Sequence, residues 1–289
     1  MIEYFLFVHY NFVIISVLIL SFFLTRMFKR KNQRNFSIQK KYQKILSLFI
    51  FIINFVIIYF LFDFSILTII IQSTIIYIIY KYLTSKLSLI GITGQIASGK
   101  STVTEYLKKK YNATIINIDE INREVLSRKE VLDQIEKVFG NSVMKYENNL
   151  RTLDKQTIKK LIFEEPKKRK QLEMITHPRV FMSFANIVFQ EKFIKNNKYV
   201  FVENAILLRF KIFVTLCQAI ICICVKDENI LIDRIIKRDN CSEETAKNIL
   251  QNQMTLKQFE EGSDYIIYNE KDYENMENEI DKILKEIHG

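Results

Sequence analysis

The sequence predicts an α/β fold, a parallel sheet with helices on both faces, preceded by about three transmembrane helices. Three observations predict it. After Lys86, short β-branched runs alternate with amphipathic helical stretches, the pattern of parallel strands joined by helical crossovers. The first of those runs leads into a glycine-rich turn ending in Lys-Ser. Before it lie two long apolar stretches with almost no charge. A chain of 289 residues with 49% hydrophobic side chains can build a sizeable core, which excludes a disordered polypeptide.

The apolar stretches come first. From Tyr4 to Thr25 no residue is charged, and a helix of that length reaches about 33 Å, enough for a hydrocarbon core of about 30 Å. The second stretch, Ile45 to Tyr80, carries Asp63 as its single charge. One helix of that length would be too long for a bilayer, so two short spans over 45–62 and 64–80 fit better, with Asp63 in a solvated turn. The basic cluster from Arg26 to Lys44 follows the first span, which argues against a cleaved signal peptide and for a cytoplasmic loop. The expectation is a multi-pass integral membrane protein in contact with lipid. Residues 1–86 form its anchor, and a domain over 87–289 faces the cytoplasm.

The formal charge of +10 is misleading as a whole. Residues 1–86 hold ten Lys and Arg against Glu3 and Asp63, and the remainder is nearly balanced. A basic nucleic-acid-binding domain is therefore a poor reading, and no nucleic-acid partner is expected. Cys217, Cys222, Cys224 and Cys241 contain no C-x-x-C pair, so neither a disulfide framework nor a zinc site follows. Nothing in the sequence identifies a protein partner.

Within 87–289 the candidate strands are Leu87 to Thr93, Ala113 to Ile118, Tyr199 to Glu203, Ala219 to Val225 and Tyr265 to Tyr268, with a last helix from Tyr273 to Ile287. The first strand enters Gly94, Gln95, Ile96, Ala97, Ser98, Gly99, Lys100 and Ser101, a complete G-x-x-x-x-G-K-S, and Thr102 continues into a helix. This order of strand, loop and helix is that of a P-loop NTPase. Its glycines let successive backbone N–H groups turn around a phosphate, and the helix N-terminus adds positive potential. Lys100 is placed to contact the β- and γ-phosphates of ATP, and the Ser101 hydroxyl to coordinate Mg²⁺. Glu203 closes a hydrophobic strand and is a second candidate for the metal; a solvated strand-end acid is its alternative. Asp119 closes the second strand, where carboxyl ends open on the ligand crevice, and is a candidate general base or a helix cap. Arg234 and Arg238 are four apart and share a helical face, suited to a closing lid over a transferring phosphoryl group, with a solvated charge run as the plainer alternative. His177-Pro178 interrupts the helical pattern after Met174, as a helix terminus or a substrate contact.

Taken together these residues resemble dephospho-CoA kinase, the P-loop kinase that phosphorylates the ribose 3′-hydroxyl of dephospho-CoA. The similarity covers about residues 88 to 286. It rests on the run from Ile90 to Thr102, on Asn117-Ile118-Asp119-Glu120-Ile121, Phe139-Gly140 and Ile162-Phe163, and on Leu172 to Pro178 with its Thr-His-Pro. Further along it rests on Arg234 to Asp239, Gln253, and Asp264 to Asn269. The resemblance implies that Asp119 activates the 3′-hydroxyl, that Lys100 and Ser101 handle phosphate and Mg²⁺, and that His177 lies on the acceptor side. It also implies that Arg238 and Asn269 face ATP, with helical substrate and lid regions around the sheet.

Departures from the family pattern cluster on the substrate side. Gln95 stands where a glycine is usual, and Lys155 where an arginine is expected. Arg209 replaces a carboxylate, and Ile249 and Phe259 replace cations. The expected activity is transfer of the ATP γ-phosphoryl to dephospho-CoA at a membrane surface. The alternatives are a membrane-anchored kinase of another small nucleotide-like acceptor, or a catalytically weakened nucleotide-binding scaffold.

Overall fold

The computed structural model describes residues 85–147, 150–270 and 273–288, with a few helical residues between 52 and 83. The chain divides into two compact units, residues 1–107 with 205–289, and residues 108–204.

In chain order the elements are β1 (Leu89–Gly94), α1 (Lys100–Tyr111), β2 (Thr114–Asn117), α2 (Ile118–Ser127) and α3 (Lys129–Phe139), then β3 (Met144–Glu147), β4 (Leu150–Leu153), α4 (Lys155–Glu164) and α5 (Pro166–Phe189). They continue with β5 (Val200–Glu203), α6 (Lys211–Leu216), β6 (Cys217–Cys224), α7 (Glu228–Asp239), α8 (Glu243–Gln251), α9 (Leu256–Gly262), β7 (Tyr265–Tyr268) and α10 (Tyr273–His288).

In the first unit β1, β6 and β7 are parallel, paired Ile92 to Ile221 and Ile223 to Ile267. Every residue of β1 is buried, and so are all but one of β6. Such unbroken apolar runs are what strands covered on both faces require. The last helix, α10, contributes Met276, Ile280, Leu284 and Ile287, all at most 4% exposed, at the spacing of one helical face. Each such side chain, fully buried, contributes about 1.5–3 kcal/mol.

In the second unit β2 and β5 run parallel, from Thr114 opposite Val200 to Asn117 opposite Glu203. Helix α2 begins at the next residue with no loop, because the Asn117 side chain caps it by accepting from the N–H groups of Asp119 and Glu120. Helix α5, 24 residues long, buries Thr176, Val180, Phe184 and Val188, one residue per turn on a single face. The antiparallel hairpin β3-β4 has no counterpart among the strands expected from sequence. Its short runs Met-Lys-Tyr-Glu and Leu-Arg-Thr-Leu carry too little apolar pattern to announce themselves.

Two expectations are corrected here. The helix does not end at His177: Pro178 lies inside α5. A proline in a helix interior costs about 3 kcal/mol through its missing donor and its clash one turn back, and the buried stripe on both sides of it offsets that cost. The second correction concerns the expected multi-pass membrane protein with its kinase domain facing the cytoplasm. Among the described residues no helix is long and apolar enough to cross a membrane. The span assigned to 4–25, and most of those assigned to 45–62 and 64–80, lie outside the described residues. Hydropathy measures the tendency of a segment to leave water, and protein interior meets that tendency as well as lipid does.

Candidate active site

The phosphate loop is built within the first unit. Gly94 has φ +145°, and a Cβ there would collide with the carbonyl of Ile223 on β6, so the loop can leave the sheet only at a glycine. Gly99 has φ +100°, and a Cβ on it would meet the Asn269 amide. That amide donates to the Ser98 carbonyl at 2.8 Å. Lys100 Nζ donates to the carbonyls of Gly94 (3.1 Å) and Gln95 (2.7 Å), which ties the ammonium to the start of the loop.

Three more side chains hold the loop. Gln95, only 4% exposed, accepts from the Val225 N–H at 2.7 Å. Gln253 Oε1 accepts from the Ile96 N–H at 2.9 Å. Arg234 donates to the carbonyls of Ala97 (3.4 Å) and Asn269 (3.2 Å). Ile96 and Ala97 also pack against the cluster of Ile232, Ile235, Ala246 and Ile249 from α7 and α8.

Arg234 and Asn269 thus both bond to the loop, whereas Arg238 pairs elsewhere. The Arg238 guanidinium makes a bidentate pair with its neighbour Asp239, both bonds 2.8 Å, at an exposed position. The pair raises the arginine above its ordinary value and holds the Asp239 carboxyl below the usual carboxylate range. Within β6, hydrogen bonding to Cys224 and burial push the Cys222 thiol far above its ordinary value. The Cys222 thiol is therefore not suited to act as a nucleophile.

A second group of candidate residues lies within residues 108–204. Asp119 sits exposed on the first turn of α2, and its Oδ1 accepts a 2.8 Å hydrogen bond from Nδ2 of Asn204, a side chain 2% exposed. Asn117, which caps α2, also donates from Nδ2 to Glu203 Oε2 at 3.3 Å. The carboxyl ends of two paired strands therefore carry a hydrogen-bonded polar chain that runs from Glu203 through Asn117 and Asp119 to Asn204. His177 is exposed on α5.

Sequence reasoning named two members of this polar chain, Asp119 and Glu203, as functional candidates, and missed Asn204. Its signal was an amide directly after a strand-end acid, in a run where an apolar residue would pack more cheaply. Several departures from the family pattern now have physical reasons. Gln95 adds a clamp between the loop and the end of β6. Phe259, 1% exposed, packs with Cys222 and Cys224, and Ile249 packs against the buried cluster of Ile232, Ile235 and Ala246. Both positions serve packing where the family pattern has charge. Arg209 and Lys155 are exposed, and nothing in the structure explains them.

The residues present fit a nucleotide phosphate. The loop has two glycines in positive-φ backbone that no side chain could replace without collision, a lysine tied to it, and a Ser98 hydroxyl that is buried without a partner among the described residues. For Mg²⁺ the candidate donors, the Ser101 hydroxyl and the Glu203 carboxylate, are oxygens, as a hard cation prefers. Among the described residues no group of three or more His, Cys, Asp or Glu could hold a metal. A magnesium here would take most of its ligands from phosphate and water, as such ions usually do.

Comparison with known proteins gives one consistent result. The sequence profile of the family described as dephospho-CoA kinase matches residues 88–275. A dephospho-CoA kinase of Fusobacterium nucleatum is 29% identical over 199 residues, covering 69% of this chain and 98% of the relative. One from Oceanobacillus iheyensis is 33% identical over 197 residues, covering 68% of this chain and 96% of the relative. Nearly all of each relative is thus matched by about two thirds of this chain. The structure of TT1252 from Thermus thermophilus matches with a TM-score of 0.57 at 23% identity, covering 70% of this chain and 98% of its own, a likeness of fold. The expected membrane localisation finds no support in these matches, which account for almost the full length of the relatives without an anchor-sized remainder.

Proposed function

We propose that this chain, which belongs to the dephospho-CoA kinase family, transfers the γ-phosphoryl group of ATP to the ribose 3′-hydroxyl of dephospho-CoA. The observation that carries the reading is that one chain holds both a complete phosphate loop and an Asp119 carboxylate bonded by Asn204 at the end of a strand. Family membership and the named relatives support the acceptor.

In this reading the loop residues 94–102 bind the triphosphate through backbone N–H groups, and Lys100 follows the charge that develops on the transferring group. Arg234 and Asn269 brace the loop and present further donors to the phosphates. Ser101 and Glu203 would be the protein donors to Mg²⁺, and a bound magnesium would neutralise phosphate charge. Asp119 orients the acceptor hydroxyl and takes its proton, and His177 contacts the acceptor. Arg238 closes on the nucleotide only after it exchanges Asp239 for phosphate, a swap that costs the 2.8 Å bidentate pair. Phosphoryl transfer of this kind offers the protein little covalent work, so positioning and charge neutralisation supply most of the rate.

The test is ADP formation by the full chain from Mg-ATP with dephospho-CoA, with nucleoside monophosphates, and with no acceptor, beside Asp119→Asn. Turnover with dephospho-CoA alone, lowered about a hundredfold or more in the variant, is expected. Turnover with a nucleoside monophosphate instead would reassign the acceptor, and ATP binding without turnover would make the protein a nucleotide-binding scaffold.

A further inference from the structure

We propose that Asn204 is a positioning residue for the acceptor base: its buried amide pins one carboxylate oxygen of Asp119 and leaves the other to receive the hydroxyl proton. The inference rests on the reading of Asp119 as that base.

Four observations carry it. The Nδ2 to Oδ1 distance is 2.8 Å, within the range of a good charge-assisted bond. A carboxylate can only accept, so the amide must turn its nitrogen toward Asp119, and the orientation of Asn204 is settled by chemistry. Asn204 is 2% exposed, two positions after the fully buried run Val200, Phe201 and Val202. An amide in such a place loses its hydration and persists only where it is well bonded. Last, Asp119 Oδ2 has no partner among the described residues, so the carboxylate is held at one oxygen and open at the other.

The backbone beneath the base is fixed independently. Asn117 Oδ1 accepts from the Asp119 N–H at 2.9 Å and from the Glu120 N–H at 3.1 Å, while its Nδ2 reaches Glu203. Asn117 thus sets where the Asp119 backbone sits, and Asn204 sets how its side chain is turned. An exposed aspartate without the second restraint samples several rotamers, and only a fraction of them would aim an oxygen at the acceptor. Asn204 touches neither the reacting hydroxyl nor the phosphoryl group in this account; it acts through Asp119.

The experiment is a double-mutant cycle on the full chain, following ADP formation with Mg-ATP and dephospho-CoA. Asn204→Leu, similar in volume but unable to donate, is expected to lower kcat by about ten- to a hundredfold. KM for both substrates should change less than about threefold, with the melting temperature unchanged or raised. Asn204→Ser, which can still donate through its hydroxyl, should recover part of the rate, and it carries the comparison if the leucine variant does not fold. In an Asp119→Asn background either substitution at 204 should have no further effect on kcat. Wild-type kcat in Asn204→Leu would overturn the proposal. Equal losses with and without the Asp119 carboxylate would do the same, because they would mark Asn204 as merely structural. Wild-type turnover in Asp119→Asn alone would instead remove the base reading on which the inference stands.

Discussion

The two units hold their candidate functional residues by different means. In the unit formed by residues 1–107 and 205–289, side chains reach backbone: Gln95 to Val225, Gln253 to Ile96, Asn269 to Ser98, Arg234 to Ala97. In residues 108–204, side chains also reach side chains, Asn204 to Asp119 and Asn117 to Glu203, beside the Asn117 cap on the backbone of α2. The difference follows from the tasks. A phosphate cradle is made of backbone N–H groups, and shaping it means fixing the main chain. An acceptor site needs one carboxylate correctly aimed, and that is a matter of rotamers.

The contrast can be broken or sharpened by experiment. The largest effect is expected at the loop, where Lys100→Ala should lower turnover with dephospho-CoA by about a hundred- to a thousandfold while leaving the melting temperature nearly unchanged. ADP formation at the wild-type rate would remove the loop from the chemistry. Next in size is Gln95→Gly, which supplies the residue usual in the family pattern. It should destabilise the chain by about 1–3 kcal/mol in urea titration, because the fully buried Val225 N–H would lose its acceptor. Unchanged stability would mean that another group takes the bond and that the clamp is dispensable.

The smallest effects are in the pH dependence of stability, and here the two units should part company. In residues 108–204, burial raises the Glu191 carboxyl, but bonds from Lys195, Thr114 and Asn197 outweigh it and hold the group below its ordinary value. A depressed carboxylate stabilises the fold above its unfolded pKa, and that contribution fades as pH falls through the folded one. In the other unit Tyr268 donates to Glu260 at 2.6 Å and is pushed up to about 12. Its contribution is complete below about 10, the unfolded value, and disappears as pH rises through about 12. Glu191→Gln should flatten the acid limb of a stability profile and Tyr268→Phe the alkaline limb. If either substitution flattened the opposite limb, the assignment of limbs to units would fail.

The sequence and the structure agree best where a feature is local and contiguous. Gly94 to Ser101 announced the loop because its glycines, lysine and serine follow one another along the chain, and β7 was placed residue for residue. The final helix was legible because Ile280, Leu284 and Ile287 repeat along one face. The hairpin β3-β4 escaped because short, half-exposed strands leave little periodicity to detect. His177-Pro178 misled because proline was read as a stop, whereas the stripe of Thr176, Val180, Phe184 and Val188 carries α5 through it. The membrane expectation arose from apolar content, a quantity that does not say what replaces water.

By itself, then, the sequence determined the class of fold, the phosphate loop and the family, because each depends on residue types at fixed short spacing. Only the tertiary structure decided how the remaining candidates are disposed. Arg234 turned to the loop while Arg238, one helical turn away, turned to Asp239, and no spacing rule separates them. Asn204 and Asp119 are 85 positions apart in the chain and 2.8 Å apart at the site. Such contacts follow from strand pairing and packing, which bring distant residues together through the whole of the fold rather than through any local pattern.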